Sequence, residues 1–177
     1  MPSDEYREVL AQFQSGRPFG EMGIDLNSLR SGMTSRLEPE YPEAVVEPAD
    51  AGGIPCEWVW MPGADRDRRV LYLHGGGYVS GSSGRYLPMA VEISRAAGCV
   101  VLLANYRLAP EHPCPAAVED AVAAYRWLRE HFPQGTGTAR STFIAGDSAG
   151  GGLTLAALMA LRDSGGPLPQ GGITFSA

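Results

Sequence analysis

The strongest chemical signal in the sequence is a serine among small residues, in the segment Gly146-Asp147-Ser148-Ala149-Gly150. This segment matches the G-x-S-x-G nucleophile elbow, in which a sharp turn between a strand and a helix presents a serine. Glycines two positions to either side keep the flanking backbones from colliding, and the nearby helix N-terminus favours an anion. We therefore predict a nucleophile at Ser148. The alternative is an ordinary glycine-rich connection whose serine caps the helix.

A second glycine cluster, His74-Gly75-Gly76-Gly77, follows a run with the character of a buried strand. Consecutive glycines let backbone N–H groups face a site with no side chain in the way, as an oxyanion hole requires. We predict donors from Gly76 and Gly77, with Gly75 behind them, and from Ala149. A phosphate-binding loop is the alternative, but neither GxxxxGK[ST] nor a GxGxxG dinucleotide pattern is present.

Three residues beside these glycines are predicted to support the site. His74 precedes the turn, so we expect its ring to orient the loop backbone and not to act as a base. Asp147 is adjacent to Ser148, and because neighbouring side chains on a sharp turn diverge, we expect it to brace the elbow. Tyr78, directly after the glycines, is a candidate substrate-binding residue.

A proline-rich loop over residues 106–115 is predicted to be structural. Its three prolines restrict the backbone. We expect Arg107 and Glu111 to form an ion pair that anchors the loop. Glu119 and Asp120, further along, are expected to be a solvated or loop-capping pair and not an acid/base couple.

From residue 69 onward, the pattern of apolar residues alternates between strands and helices. Together with two earlier runs, it predicts strands over 44–47, 54–61, 69–74, 99–104, 141–146 and 171–176, and helices over 86–97, 115–129 and 150–162. A turn region is expected at 48–53. The 150–162 helix is apolar nearly all round, so it should be central and buried.

This alternation predicts an α/β fold with a mostly parallel sheet and helices on both faces. Ligands in such sheets bind beyond the carboxyl ends of the strands. Both glycine clusters lie at such ends, which places Ser148 and the 74–77 loop in one site.

Residues 1–40 are predicted to form a helical segment separate from a core over residues 41–177. A second short helix is expected between residues 22 and 37. The first helix is indicated by apolar residues with the spacing of a single helix face, namely Tyr6, Val9, Leu10 and Phe13.

Composition limits the classes of function. The chain has 177 residues, 44% of them hydrophobic, and a net charge of −6, which fits one folded domain and disfavours nucleic acid as a partner. No run is long enough for a membrane span, and the N-terminus lacks the pattern of a signal peptide. The three cysteines are far apart, so we expect no disulfide framework, no metal site and a reducing, cytoplasmic location.

Three segments together resemble the hormone-sensitive-lipase-like carboxylesterases (bacterial family IV) of the α/β-hydrolase fold. They are HGGGYVSGS at 74–82, YRLAPEHPCPAAVEDA at 106–121 and GDSAGGGL at 146–153. The resemblance implies a serine nucleophile, an HGGG oxyanion hole, no cofactor, and a small ester substrate with a short or medium acyl chain. It also implies that residues 1–40 correspond to the family's cap over the site, with Phe13, Phe19 and Met22 as candidate lining residues.

The sequence departs from the family pattern after the nucleophile. The triad of this fold runs Ser, then Asp or Glu, then His along the chain, but residues 149–177 contain no histidine. Their one acid, Asp163, is expected to point away from the site. His112 is expected to fix its loop, and His131 to be exposed near a helix end.

We therefore expect the triad acid and base to come from a C-terminal segment of the same protein or from a second copy of the chain. The sheet is expected to stop before the family's last strands and to leave the 171–176 strand as an apolar edge. Two alternatives stay open: a hydrolase scaffold that binds a small carboxylate or ester without turnover, and a truncated remnant that folds only in part.

Overall fold

The apolar runs of the sequence lie side by side at the centre of a six-stranded sheet in the computed structural model, which describes residues 26–34 and 41–177. In chain order the elements are α1 (Leu26–Thr34), β1 (Val45–Asp50), β2 (Pro55–Trp60), β3 (Asp65–Leu73), α2 (Ser83–Ala97), β4 (Cys99–Ala104), α3 (Ala116–Glu130), β5 (His131–Phe132), β6 (Gly135–Thr136), β7 (Ser141–Asp147), α4 (Ala149–Asp163) and β8 (Gly171–Phe175).

The strand order in the main sheet is β1-β2-β4-β3-β7-β8. β4, β3, β7 and β8 are mutually parallel. β2 pairs antiparallel with β4, and β1 pairs antiparallel with β2. β5 and β6 form a separate hairpin that the sequence analysis did not predict. The predicted α/β architecture with a mostly parallel sheet is therefore confirmed.

Side-chain alternation along the strands divides the core into two layers. Leu71 and Leu73 of β3 face the layer beneath α3 and α4. Val70 and Tyr72, on the opposite face, pack in the layer with α2. Because helices cover both faces, all six residues of β4 are buried, which explains its uninterrupted apolar sequence.

The end of α2 was predicted correctly, and the turn after β1 was not. Gly98 adopts a left-handed φ of 60° and donates its N–H to Ser94 O at 2.8 Å, as a glycine that ends a helix does. The turn predicted from residue 48 starts later, because β1 continues through Pro48 to Asp50. A proline is tolerated there since β1 lies at the sheet edge.

The helix predicted to be central and buried, α4, is buried on one face and exposed on another. Leu153 and Leu161 are fully buried, but Leu155 is 50% and Met159 is 55% exposed. β8 is the edge strand of the described sheet, and two of its apolar side chains, Ile173 and Phe175, are also exposed.

The predicted Arg107–Glu111 ion pair is absent from the described residues. Arg107 instead binds Asp120 Oδ1 through Nη2 at 2.7 Å and contacts Glu119 at 3.1 Å. Its backbone N–H also donates to Asp120 Oδ2 at 2.8 Å. Asp120 is buried, so it anchors the loop and is not solvated.

The other two histidines, His112 and His131, differ in burial. His131 is half-buried and not exposed as predicted, because its ring stacks on Trp127 with centroids 4.3 Å apart. The ring of His112 is exposed, and only its backbone N–H holds the loop, through Leu108 O at 2.9 Å.

The described N-terminal helix α1 falls within the predicted 22–37 range. The predicted helix around Tyr6–Phe13 lies outside the described residues, as do the candidate lining residues Phe13, Phe19 and Met22. Among the helices that the structure describes, none combines the length and apolarity that a membrane crossing needs.

Candidate active site

Strand register brings the two glycine clusters together. Leu73, at the end of β3, pairs with Gly146 of β7 on one side and with Ala104 of β4 on the other. The chain therefore leaves β3 into the 74–77 loop beside the point where it leaves β7 into the elbow. This adjacency is what the parallel sheet predicted.

Ser148 occupies a strained turn between β7 and α4. Its φ of 48° and ψ of −122° are unusual for a residue with a side chain, and such strain costs about 1–3 kcal/mol. Its backbone N–H donates to Phe175 O at 2.8 Å, which ties the turn to β8. The residue is exposed, and its side chain makes no capping hydrogen bond. Ser148 thus stands at the N-cap position of α4, but its side chain does not cap the helix as the alternative interpretation requires.

The flanking glycines are required by space. A Cβ on Gly146 would lie 2.6 Å from Leu73 O, and a Cβ on Gly150 would lie 2.6 Å from His74 O. Both contacts are with backbone, which cannot move aside locally. The tight approach of the elbow to the end of β3 thus explains the residue types at these two positions.

The loop after β3 turns through three left-handed residues in succession: Gly76 (φ 127°), Gly77 (φ 62°) and Tyr78 (φ 63°). Gly76 O accepts hydrogen bonds from Ser80 N at 3.0 Å and Ser80 Oγ at 2.9 Å. Within the described residues, the N–H groups of Gly76 and Gly77 have no acceptor. Both glycines line the same cleft as Ser148.

Gly75 does not match its predicted role as a donor to an oxyanion. Its N–H already donates to Asp147 Oδ1 at 3.0 Å. There is also no room for a side chain, because a Cβ would lie 2.8 Å from Tyr86 Oη. The glycine at this position is therefore needed for close packing against the elbow.

Asp147 gathers donors from three elements. Besides Gly75 N–H, it accepts Tyr72 Oη–H on Oδ1 at 3.1 Å and Tyr86 Oη–H on Oδ2 at 2.9 Å. Burial, reinforced by the carboxylate, raises the pKa of Tyr86 to about 12 and that of Tyr72 still further. Both phenols therefore stay protonated and serve as donors.

His74 is buried beneath the loop, with its ring between two tyrosines. The ring stacks on Tyr106 at a centroid distance of 4.4 Å and on Tyr86 at 5.8 Å. Its Nδ1 lies 2.8 Å from Gly75 O. Burial lowers the pKa of His74, so at neutral pH the uncharged ring donates Nδ1–H to that carbonyl.

The serine lies in a cleft of about 550 Å³ that helix α1 helps to form. Leu29 and Met33, one helical turn apart, line it from α1. Neither residue was predicted from the sequence. Their i, i+4 spacing within the predicted 22–37 helix was the available signal.

Tyr78 does not line this cleft. It borders a neighbouring cavity of about 360 Å³ together with His112 and Cys114. A Cβ on Gly152 would lie 2.8 Å from Tyr78 Oη, so the phenol rests over the first turn of α4. Tyr78 therefore belongs to a second, apolar pocket and not to the serine cleft.

Arg30 of α1, which was not predicted from the sequence, binds both loops beside the cleft. Its Nε donates to Val79 O at 2.7 Å, and its Nη2 donates to Ala109 O at 2.9 Å. The guanidinium also forms a two-pronged ion pair with Glu111, at 2.8 and 2.7 Å. Nothing in the sequence spacing marked this residue, because its partners are about fifty to eighty positions away.

The described part of the chain contains no cluster of three or more His, Cys, Asp or Glu residues that could hold a metal ion. The three cysteines are unpaired: Cys56 and Cys99 are buried and Cys114 is exposed.

Comparison with known families and proteins gives consistent results. A family model described as alpha/beta hydrolase fold matches residues 70–177. An acetyl-hydrolase of Streptomyces hygroscopicus is 46% identical over 144 residues, which cover 80% of this chain and 46% of that protein. Carboxylesterase NlhH of Mycobacterium tuberculosis is 37% identical over 140 residues, which cover 75% of this chain and 44% of that protein. The chain thus spans less than half the length of these two relatives.

Solved structures are similar over nearly the whole chain. The crystal structure of EstE5 soaked with p-nitrophenyl butyrate superposes with a TM-score of 0.81 at 43% identity, and covers 98% of this chain and 57% of that one. An esterase from the bacterial hormone-sensitive lipase family gives a TM-score of 0.74 at 42% identity, with coverage of 98% and 57%.

Proposed function

Since the chain belongs to the α/β hydrolase-fold family, and within it to the hormone-sensitive-lipase-like esterases, we propose that it carries the nucleophile and the oxyanion hole of a serine carboxylesterase. The substrates proposed are esters with short to medium acyl chains. One observation carries the proposal: the exposed Ser148, held at a left-handed φ, lines the same cleft as Gly76 and Gly77, whose N–H groups have no acceptor among the residues that the structure describes.

In the proposed reaction, Ser148 Oγ attacks the ester carbonyl carbon while its proton passes to an imidazole base. The carbonyl oxygen becomes an oxyanion, which accepts hydrogen bonds from the backbone N–H groups of Gly76, Gly77 and Ala149. The C–O bond to the alcohol then breaks, and the alcohol leaves with the proton from the imidazolium. Water attacks the acyl-enzyme by the same route, which releases the carboxylic acid and restores the serine.

The electrostatic setting favours this charge distribution. Ala149 is the first residue of α4, so its N–H belongs to the positive end of the helix dipole. Asp147, the residue before Ser148, accepts hydrogen bonds from Gly75 and two tyrosines. Its negative charge is therefore neutralised in part by three donated hydrogen bonds.

The proposed base is not one of the three histidines in the chain. His74 is bound to Gly75 O beneath the loop, His112 borders the neighbouring pocket, and His131 stacks on Trp127. Because the chain covers 57% of the EstE5 chain, we propose that the triad acid and base come from a C-terminal segment of the same protein, or from a second copy. Residues 1–40 are proposed as a cap over a core at 41–177, with Leu29 and Met33 in the cap contacting the site.

The proposal is tested by assaying the natural protein for hydrolysis of p-nitrophenyl esters of increasing acyl length. Ser148→Ala should lower kcat by about four orders of magnitude or more, because removal of a triad serine has effects of that size. Ser164→Ala is the matched control, since Ser148 and Ser164 flank opposite ends of α4. Equal activity of wild type and Ser148→Ala would overturn the assignment of the nucleophile.

A second candidate function is binding without turnover. The positions of the three histidines favour it, because none is available to activate Ser148. In that case a short-chain carboxylate binds the protein and Ser148→Ala leaves its affinity unchanged, while no ester is hydrolysed. Calorimetric titration with butyrate beside the kinetic assay separates the two functions.

A further inference from the structure

The guanidinium of Arg30 joins three segments that are distant in sequence. Helix α1 supplies the residue, the loop after β3 supplies Val79 O, and the proline-rich loop supplies Ala109 O and Glu111. Four hydrogen bonds between 2.7 and 2.9 Å therefore connect the cover of the cleft to both loops beneath it.

These hydrogen bonds close a ring around the loop that carries the proposed oxyanion donors. Ala109 O accepts from Arg30, and Ala109 N–H donates to Tyr78 O at 2.9 Å. Val79 is the residue after Tyr78, and its carbonyl returns to Arg30 at 2.7 Å. The loop is thus held from outside at two successive carbonyls.

External support matters here because the loop is strained. Tyr78 has a left-handed φ of 63°, which costs a residue with a side chain about 1 kcal/mol or more. A backbone in that conformation persists only where its surroundings hold it. The N–H directions of Gly76 and Gly77 depend on the same succession of left-handed residues.

We infer that Arg30 is a positioning residue for the oxyanion hole, which acts through Val79 and Ala109 and so couples the seating of α1 to the orientation of the Gly76 and Gly77 N–H groups. Its effect on turnover rests on the proposed esterase function. The link between α1 and the loop is independent of that function.

The shape of the Arg30 guanidinium supports this role. Arg30 uses Nε, Nη1 and Nη2 on different partners, which lysine cannot reproduce because its ammonium group is a single point. Glu111 holds the guanidinium in place, and the hydrogen bonds from Arg30 lower the pKa of Glu111 to about 2. The pair therefore stays ionised across the pH range of ordinary assays.

Steady-state kinetics with p-nitrophenyl butyrate test the inference. Arg30→Gln should lower kcat about tenfold or more and change KM less than about threefold, because small displacements of catalytic groups slow the chemical step. Arg30→Lys should recover only part of kcat, since it restores the charge opposite Glu111 but not the bonds to both carbonyls. Glu111→Gln should have the smallest effect of the three.

Arg95→Gln is the matched control. Arg95, in the last turn of α2, is exposed, and its guanidinium binds the carboxylates of Glu43 and Glu92. This makes Arg95→Gln comparable to Arg30→Gln in the charge and ion pairs that it removes. It should leave kcat and KM unchanged. If Arg30→Gln raises KM with kcat unchanged, Arg30 only shapes the pocket through α1 and the inference is wrong. Unchanged kcat and KM would overturn it equally.

Hydrogen–deuterium exchange gives a readout that does not depend on esterase activity. The amides of Val79 and Ser80 are bonded to Gly76 O at 3.2 and 3.0 Å, and we expect them to exchange about tenfold faster in folded Arg30→Gln than in wild type. Unchanged exchange would overturn the inference. A wild type without esterase activity, whose loop nevertheless loosens in Arg30→Gln, would refute the proposed function and leave the link from α1 standing.

Discussion

Asp147 Oδ1 accepts the backbone N–H of Gly75 at 3.0 Å, so the residue before the proposed nucleophile holds the first glycine of the proposed oxyanion loop. The two motifs are about seventy positions apart in the sequence and are brought together by the pairing of Leu73 with Gly146. One carboxylate therefore fixes the spacing between the serine and the donors that must act on the same carbonyl group.

The first prediction concerns this carboxylate. Asp147→Ala removes the acceptor of two partly buried phenols and one N–H, so it should lower the free energy of unfolding by about 1–3 kcal/mol. It should also lower kcat, because Gly75 is released. Thermal unfolding and butyrate kinetics measure the two effects. Asp163 is exposed and, in the part of the chain that the structure describes, contacts Arg162, so Asp163→Ala should change neither.

The second prediction uses the space around Gly75. A Cβ there would lie 2.5 Å from Asp147 Oδ2 and 2.8 Å from Tyr86 Oη, so Gly75→Ala must displace the loop or the carboxylate. We expect a loss of activity of about tenfold or more. Gly166→Ala is the control, because the nearest atom to its Cβ would be the side-chain Ser164 Oγ, 3.5 Å away. Full activity of Gly75→Ala would show that the loop is not held as described.

The third prediction concerns pH. Burial lowers the pKa of His74 in the folded chain despite the nearby Asp147 carboxylate. The unfolded chain therefore binds a proton more readily, and stability declines as pH falls below the ordinary histidine pKa of about 6.5. We expect the midpoint of thermal unfolding to fall between pH 7.5 and 5.5.

His74→Asn should reduce that pH dependence, because the amide can donate to Gly75 O but does not titrate in this range. The exposed His112→Asn is the control and should keep the wild-type slope. Identical slopes for wild type and His74→Asn would mean that His74 is not the group responsible.

The fourth prediction concerns cysteine reactivity. Cys114 is exposed, whereas burial raises the pKa of Cys56 to about 12 and that of Cys99 to about 11. Because the thiolate is the reactive form, an aromatic disulfide reagent should label one thiol quickly in the folded protein and the other two only after unfolding. Cys114→Ser should abolish the fast phase. A fast phase of more than one thiol would contradict the burial described.

The sequence predicted the central strands well and the polar ends of strands poorly. Residues 99–104 were predicted with the bounds that β4 has, because burial on both faces leaves an apolar run with polar or glycine neighbours. β3 begins at Asp65, earlier than predicted, since its first four residues are polar and partly or fully exposed. A pattern of apolar residues carries no information about such an extension.

Residue types in the site could be read from the sequence because they follow from tight backbone approaches, as at Gly146 and Gly150. Which charged side chains pair with each other could not be read from the sequence. Arg107 was expected to bind Glu111, four positions away, but Asp120 lies closer in space at the start of α3. Glu111 instead binds Arg30, which reaches it because α1 packs against the proline-rich loop.

Covalent labelling of Ser148 tests the central claim most directly. The protein as its source makes it is incubated with an alkyl fluorophosphonate, where Oγ attack on phosphorus expels fluoride, and the adduct is located by peptide mass spectrometry. The account predicts a single adduct on Ser148 that is absent from Ser148→Ala and unchanged in Ser164→Ala. No adduct on Ser148, or an adduct on another residue that accompanies ester turnover, would contradict it.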